Sequence, residues 1–149
     1  SCDIPDEHAD NEDEAEVFAS VVCEGDVGTF EGVLNSESDS DWFFFHAAQG
    51  DGPCSIPKIT AYADASEDVR VCVFPKCSDT NETTYNCQGL DDVFSPEGRP
   101  GCCYKNGIGV LVSFLDSPSE VDVYVRVDSS SSERCVNYSL EYRHRDNGV

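Results

Sequence analysis

Ser38-Asp39-Ser40-Asp41-Trp42-Phe43-Phe44-Phe45 decides how this chain folds, because two acids set among serines run without a break into four consecutive aromatics. A strand sends successive side chains to opposite faces, so four aromatics in a row are buried together only in a sheet covered on both sides. Trp42, Phe44 and His46 then point one way, and Phe43 and Phe45 the other. One set belongs to the core. The other lies under a covering segment or forms an exposed platform, and burial is the stronger reading because three exposed aromatics invite aggregation. The acids must stay in water, be paired, or hold a cation. The junction therefore marks a loop entering a sandwich.

Working outward, Thr29 to Leu34 alternates with period two, and Trp42 to Ala47 continues it after a polar turn. Ile59 to Ala63, Val69 to Phe74, Ile108 to Leu115, Val121 to Val127 and Val136 to Arg143 read as further strands. In the Val121 strand every second residue is Val. No amphipathic helix stands out. The expected fold is all-β, an antiparallel jelly-roll-like β-sandwich with a disulfide-stapled loop excursion. Residues 1–16 form an acidic N-terminal segment, 17–149 a single sandwich domain, and 75–107 a cysteine-rich excursion dense in turn formers.

The 149 residues include nine cysteines: Cys2, Cys23, Cys54, Cys72, Cys77, Cys87, Cys102, Cys103 and Cys135. That density without zinc-like CxxC pairs predicts a disulfide framework and an extracellular or cell-surface protein freed of a signal peptide. Cys72 is expected to pair with Cys102 or Cys103, and Cys77 with Cys87. The odd total leaves at least one thiol over, either free and buried, modified, or bonded to another chain. Adjacent Cys102 and Cys103 are poorly placed to chelate one zinc ion. Asn81-Glu82-Thr83 and Asn137-Tyr138-Ser139 are glycosylation sequons, making Asn81 and Asn137 candidate acceptors.

The formal charge is −21, and fifteen acids precede the first cation, Lys58. Such a field repels nucleic acid and anionic lipid and favours divalent cations or basic proteins. No apolar run is long enough to insert in a membrane. Only three histidines occur, His8, His46 and His144, and there is no Gly-x-Ser-x-Gly elbow, His-Glu-x-x-His pair or phosphate loop. The chain is expected not to be an enzyme.

The order of parts resembles the bacterial pre-peptidase C-terminal domain family, the β-sandwiches appended to secreted peptidases and related to collagen-binding domains. The residues that carry the resemblance are the acidic entry Asp10-Asn11-Glu12-Asp13-Glu14, Gly32-Val33-Leu34, Asp39-Ser40-Asp41-Trp42-Phe43 with Phe45, the Val69 to Phe74 strand, Val123 to Val127, and Asn137-Tyr138-Ser139-Leu140. The nine cysteines and the long excursion depart from that pattern. The resemblance implies a calcium ion held between the entry segment and the loop before the aromatic strand, by Glu12, Asp13, Glu14, Asp39 and Asp41. A solvated acidic surface is the other reading of those residues.

Two functions follow as expectations. The first is a non-catalytic extracellular structural or interaction protein that self-associates as a matrix or fibre subunit, the acidic segment of one copy adding to its neighbour near Arg143 and Arg145. The second, which the resemblance implies, is a module that targets a secreted hydrolase to a carbohydrate or protein polymer.

Overall fold

The computed structural model describes residues 15–17, 21–22, 28–35, 39–48, 57–65, 69–77, 85–86, 91–105, 110–114, 120–129 and 136–146. Among them are twelve strands and no helix: β1 (Glu16–Val17), β2 (Val21–Val22), β3 (Gly28–Leu34), β4 (Ser40–Ala48), β5 (Pro57–Ala65), β6 (Arg70–Cys77), β7 (Tyr85–Asn86), β8 (Asp91–Phe94), β9 (Pro100–Lys105), β10 (Val110–Phe114), β11 (Glu120–Asp128) and β12 (Val136–Asp146). A seven-stranded sheet runs β1-β4-β11-β6-β9-β8, with β2 also on β4, and a five-stranded sheet runs β3-β12-β5-β10-β7. Pairing is antiparallel except where β1 and β2 join β4. From β3 to β12 the chain changes sheet at nearly every connection, so among the described strands β8 and β9 are the only consecutive pair that bond to each other. This is the expected sandwich, built almost wholly from non-local pairs.

Register explains the core. Across the larger sheet Phe43, Val125, Val73 and Cys102 lie in one row, and Asp41, Val127 and Val71 in the next. All are buried, as are Leu34, Val136, Tyr138 and Leu140 from the facing sheet. Each large apolar side chain contributes about 1.5–3 kcal/mol by leaving water. On the other face Trp42, Arg126, Cys72 and Cys103 form one row and Phe44, Tyr124 and Phe74 another. Trp42 is 2% exposed and Phe74 1% exposed, so both faces at the aromatic run are covered.

The 75–107 segment differs from a loop excursion, for it yields β7, β8 and β9, and the last two extend the larger sheet as a hairpin. Turn formers hide those strands because Ser95-Pro96-Glu97-Gly98 is the hairpin turn itself. Ser95 C=O accepts from Gly98 N at 2.9 Å, and Ser95 N donates to Arg99 O at 2.8 Å. Gly98 sits at φ +88°, the left-handed position that follows a type I turn in a three-residue hairpin loop.

Candidate functional site

Asp39 and Asp41 enter the fold where the chain leaves one sheet for the other. Both are buried, Asp41 completely. Asn35 N donates to Asp39 Oδ2 at 2.9 Å, which ties the end of β3 to the start of β4. Asp41 stands on the inward face because its register partner is Val127. A carboxyl group placed in a row of valines needs a donor from the facing sheet, and Tyr138 Oη donates to Asp41 Oδ2. Tyr138 reaches across because its partner on β3 is Gly32, where an added Cβ would collide with the tyrosine ring. The acid–aromatic junction is thus a structural lock between the sheets.

Of the expected calcium set only Asp39 and Asp41 are among the described residues, which by themselves hold no group of three or more His, Cys, Asp or Glu placed to bind a metal. Glu12, Asp13 and Glu14 lie outside the described residues, as do Cys2, Cys23, Cys54, Cys87, Cys135, Asn81 and His8. Asn137 is exposed on β12.

The outward face of the larger sheet carries a layer of arginine and aromatic rings. Trp42 stacks on Phe74 with centroids 5.7 Å apart, packed with Cys72 and Cys103 and flanked by Ala15 and Tyr124. Arg126 lies over Trp42 at 5.4 Å and Phe74 at 5.5 Å, and its Nη2 donates to Cys72 Sγ at 3.3 Å. Arg126 Nε is 3.1 Å from Asp128 Oδ2, an ion pair not aligned as a hydrogen bond. Arg70 binds the same carboxylate in fork geometry, Nε to Oδ1 at 2.8 Å and Nη2 to Oδ2 at 2.7 Å. That hydrogen bonding raises the Arg70 pKa above its ordinary value against the opposing effect of burial. Arg99 closes the layer, 4.1 Å over the Tyr124 ring and 3.3 Å from Glu97. Sequence reading missed this layer, although its members share the outward parity of β6 and β11.

Cys72 is disulfide-bonded to Cys103. The choice over Cys102 follows from register, since Cys103 is directly opposite Cys72 while Cys102 pairs with Val73 and points to the other face. Cys102 is itself disulfide-bonded. The bond fastens the β8–β9 hairpin to β6. At the far edge of that hairpin Phe94 is 73% exposed, the one exposed large hydrophobic among the described residues. Ser95 Oγ accepts from Arg99 N at 3.0 Å, so the segment beside Phe94 is held by three hydrogen bonds and the Arg99 stack. The signal that could have found this site is Ser95-Pro96-Glu97-Gly98, a turn sequence between Val93-Phe94 and Cys102-Cys103-Tyr104.

No family model matches the chain, and no curated protein matches it in sequence. Among solved structures, it is similar to the periplasmic lysozyme inhibitor PliG of Aeromonas hydrophila, an inhibitor of g-type lysozyme. The identity is 11%, the match covers 87% of this chain and 98% of that one, and the TM-score is 0.38. It is also similar to the pre-peptidase C-terminal domain of a Bacillus anthracis collagenase, at 15% identity, 90% and 99% coverage, and a TM-score of 0.32. At such TM-scores neither likeness bears on function.

Proposed function

We propose that this chain is a non-catalytic, exported β-sandwich whose work is binding a protein partner through the β8–β9 hairpin. The observation that carries the reading is the stapled hairpin that holds Phe94 in water. A rigid element presenting an exposed aromatic loses little entropy on association, which is the condition for an interface anchor. The disulfides favour an oxidising compartment. Among the described residues, Asp128 has both carboxylate oxygens on Arg70, Ser95 Oγ accepts from Arg99 N, and Asp39 and Asp41 each have one oxygen held by the fold, which supports the non-catalytic reading. A polymer-targeting role is less favoured, because Trp42 and Phe74, the rings suited to a flat sugar platform, are buried. Self-association is also less favoured, because each copy carries −21.

The test immobilises the oxidised chain and a Phe94→Ser variant with the same urea midpoint. Both are presented with collagen, chitin, cellulose and purified proteins of graded charge. Retention of proteins that falls on loss of Phe94 is expected. Equal retention by both chains would refute the hairpin as the working surface, and turnover of any substrate would refute the non-catalytic reading.

A further inference from the structure

Resting on the hairpin reading, we infer that β8 receives a cationic extended segment of a partner protein, added as an extra strand to the seven-stranded sheet. Among the described strands β8 ends the order of that sheet, and antiparallel pairing to β9 uses one edge of Asp91–Phe94. Every second residue of a strand directs its N–H and C=O to the opposite edge, where an incoming strand can meet them. An edge strand with an exposed apolar residue is a template that proteins ordinarily guard. Here the guard is electrostatic. Residues 91–99 hold Asp91, Asp92 and Glu97 against one cation, Arg99, which is 3.3 Å from Glu97 and stacked on Tyr124.

That charge chooses the occupant. A second copy brings −21 of its own, and its β8 would set acids beside acids. A strand that alternates lysine or arginine with apolar residues meets the opposite condition: its charge is attracted by the acidic composition of residues 91–99, and its apolar face has Phe94 to bury. The same negative charge that turns away another copy admits the cationic strand, so attraction and exclusion come from one feature. At the edge strand β3 of the smaller sheet, Thr29 and Glu31 are exposed polar residues, which offer an incoming strand no apolar anchor of their own. The hairpin beside β8 is fixed before binding by the Cys72–Cys103 bond and the Ser95–Arg99 hydrogen bonds.

The experiment uses the full oxidised chain and a labelled heptapeptide of alternating lysine and valine. A second peptide has the same sequence with every backbone nitrogen methylated, which keeps the charge and removes the donors. Anisotropy should show the unmethylated peptide binding at least about tenfold tighter, and Phe94→Ala should weaken it by about tenfold. Hydrogen exchange should slow at β8 amides only when the unmethylated peptide is present. Equal binding of the two peptides would overturn the inference in favour of adsorption to an acidic surface. Protected β8 amides in a dimer of the free chain would overturn it in favour of a second copy. Strand addition fails alone if neither peptide binds while Phe94-dependent retention of proteins persists, whereas loss of that dependence removes the hairpin reading beneath it.

Discussion

Tyr138→Phe removes a single oxygen and tests the lock between the sheets. The hydroxyl donates to Asp41, which is fully buried among Val127, Val71 and the facing Tyr138. A hydrogen bond contributes about 0.5–1.5 kcal/mol net, and a buried acceptor deprived of its donor adds a desolvation penalty of about 1–3 kcal/mol. The expected loss is about 3 kcal/mol. With a urea slope of about 2 kcal/mol/M, the midpoint falls by about 1.5 M. Trp42 is the sole tryptophan and is buried against Phe74, so its fluorescence reports the transition without a label.

A double-mutant cycle sharpens the test. Asp41→Leu alone leaves the tyrosine hydroxyl buried opposite a hydrocarbon, which costs about 1–3 kcal/mol. Combining it with Tyr138→Phe removes both members of the Asp41–Tyr138 pair. The double variant should therefore be more stable than the Tyr138→Phe variant, returning to within about 1 kcal/mol of the parent. Strictly additive losses would refute the reasoning, as would a shift below about 0.3 M for Tyr138→Phe alone at unchanged slope.

Three further outcomes are expected. Replacing Cys72 and Cys103 together by Ala opens a loop with a sequence separation of 31, and the chain-entropy relation puts the loss at about 3.7 kcal/mol, measured by urea melts of oxidised parent and variant. Gly98→Ala forces a side chain into φ +88° and should cost about 1 kcal/mol, with exchange quickening at the Arg99 amide, which donates to Ser95 Oγ. Asp128→Asn weakens the pairs to Arg70 and Arg126 together, so it should destabilise by more than Arg70→Ala, whose half-exposed side chain limits that loss to about 1 kcal/mol; equal thermal shifts would contradict the shared role.

Much of the sandwich is legible in period-two patterns. Val121 to Val127 announces its inward residues, and the aromatic run announces a sheet covered on two sides. The partners are not legible. Asp41 and Tyr138 are 97 residues apart, and Arg70 and Asp128 are 58 apart. Alternation tells which side of a strand a residue occupies, not which strand lies beside it, and almost no pairing here is between consecutive strands. The tyrosine that donates to one oxygen of Asp41 is likewise invisible from position 41. The Cys72 bond shows the reverse case. Once β6 and β9 are known to be neighbours, parity alone selects Cys103 over Cys102.

The same parity explains why charge sits where it does in the larger sheet. Arg126 is flanked in sequence by two buried valines and faces outward, where Trp42 and Phe74 would otherwise present rings to water. Covering them with guanidinium keeps the rings dry while leaving a cation able to meet Asp128, and Arg99 does the same for Tyr124. Phe94 is the exception to this treatment. It stands exposed at the end of β8, beside a turn held by the Ser95–Arg99 and Gly98–Ser95 hydrogen bonds. An aromatic left in water costs the free chain nothing in packing but gives a partner apolar area to bury. That contrast between guarded rings on the face and a displayed ring at the edge is the physical ground for assigning binding to the hairpin.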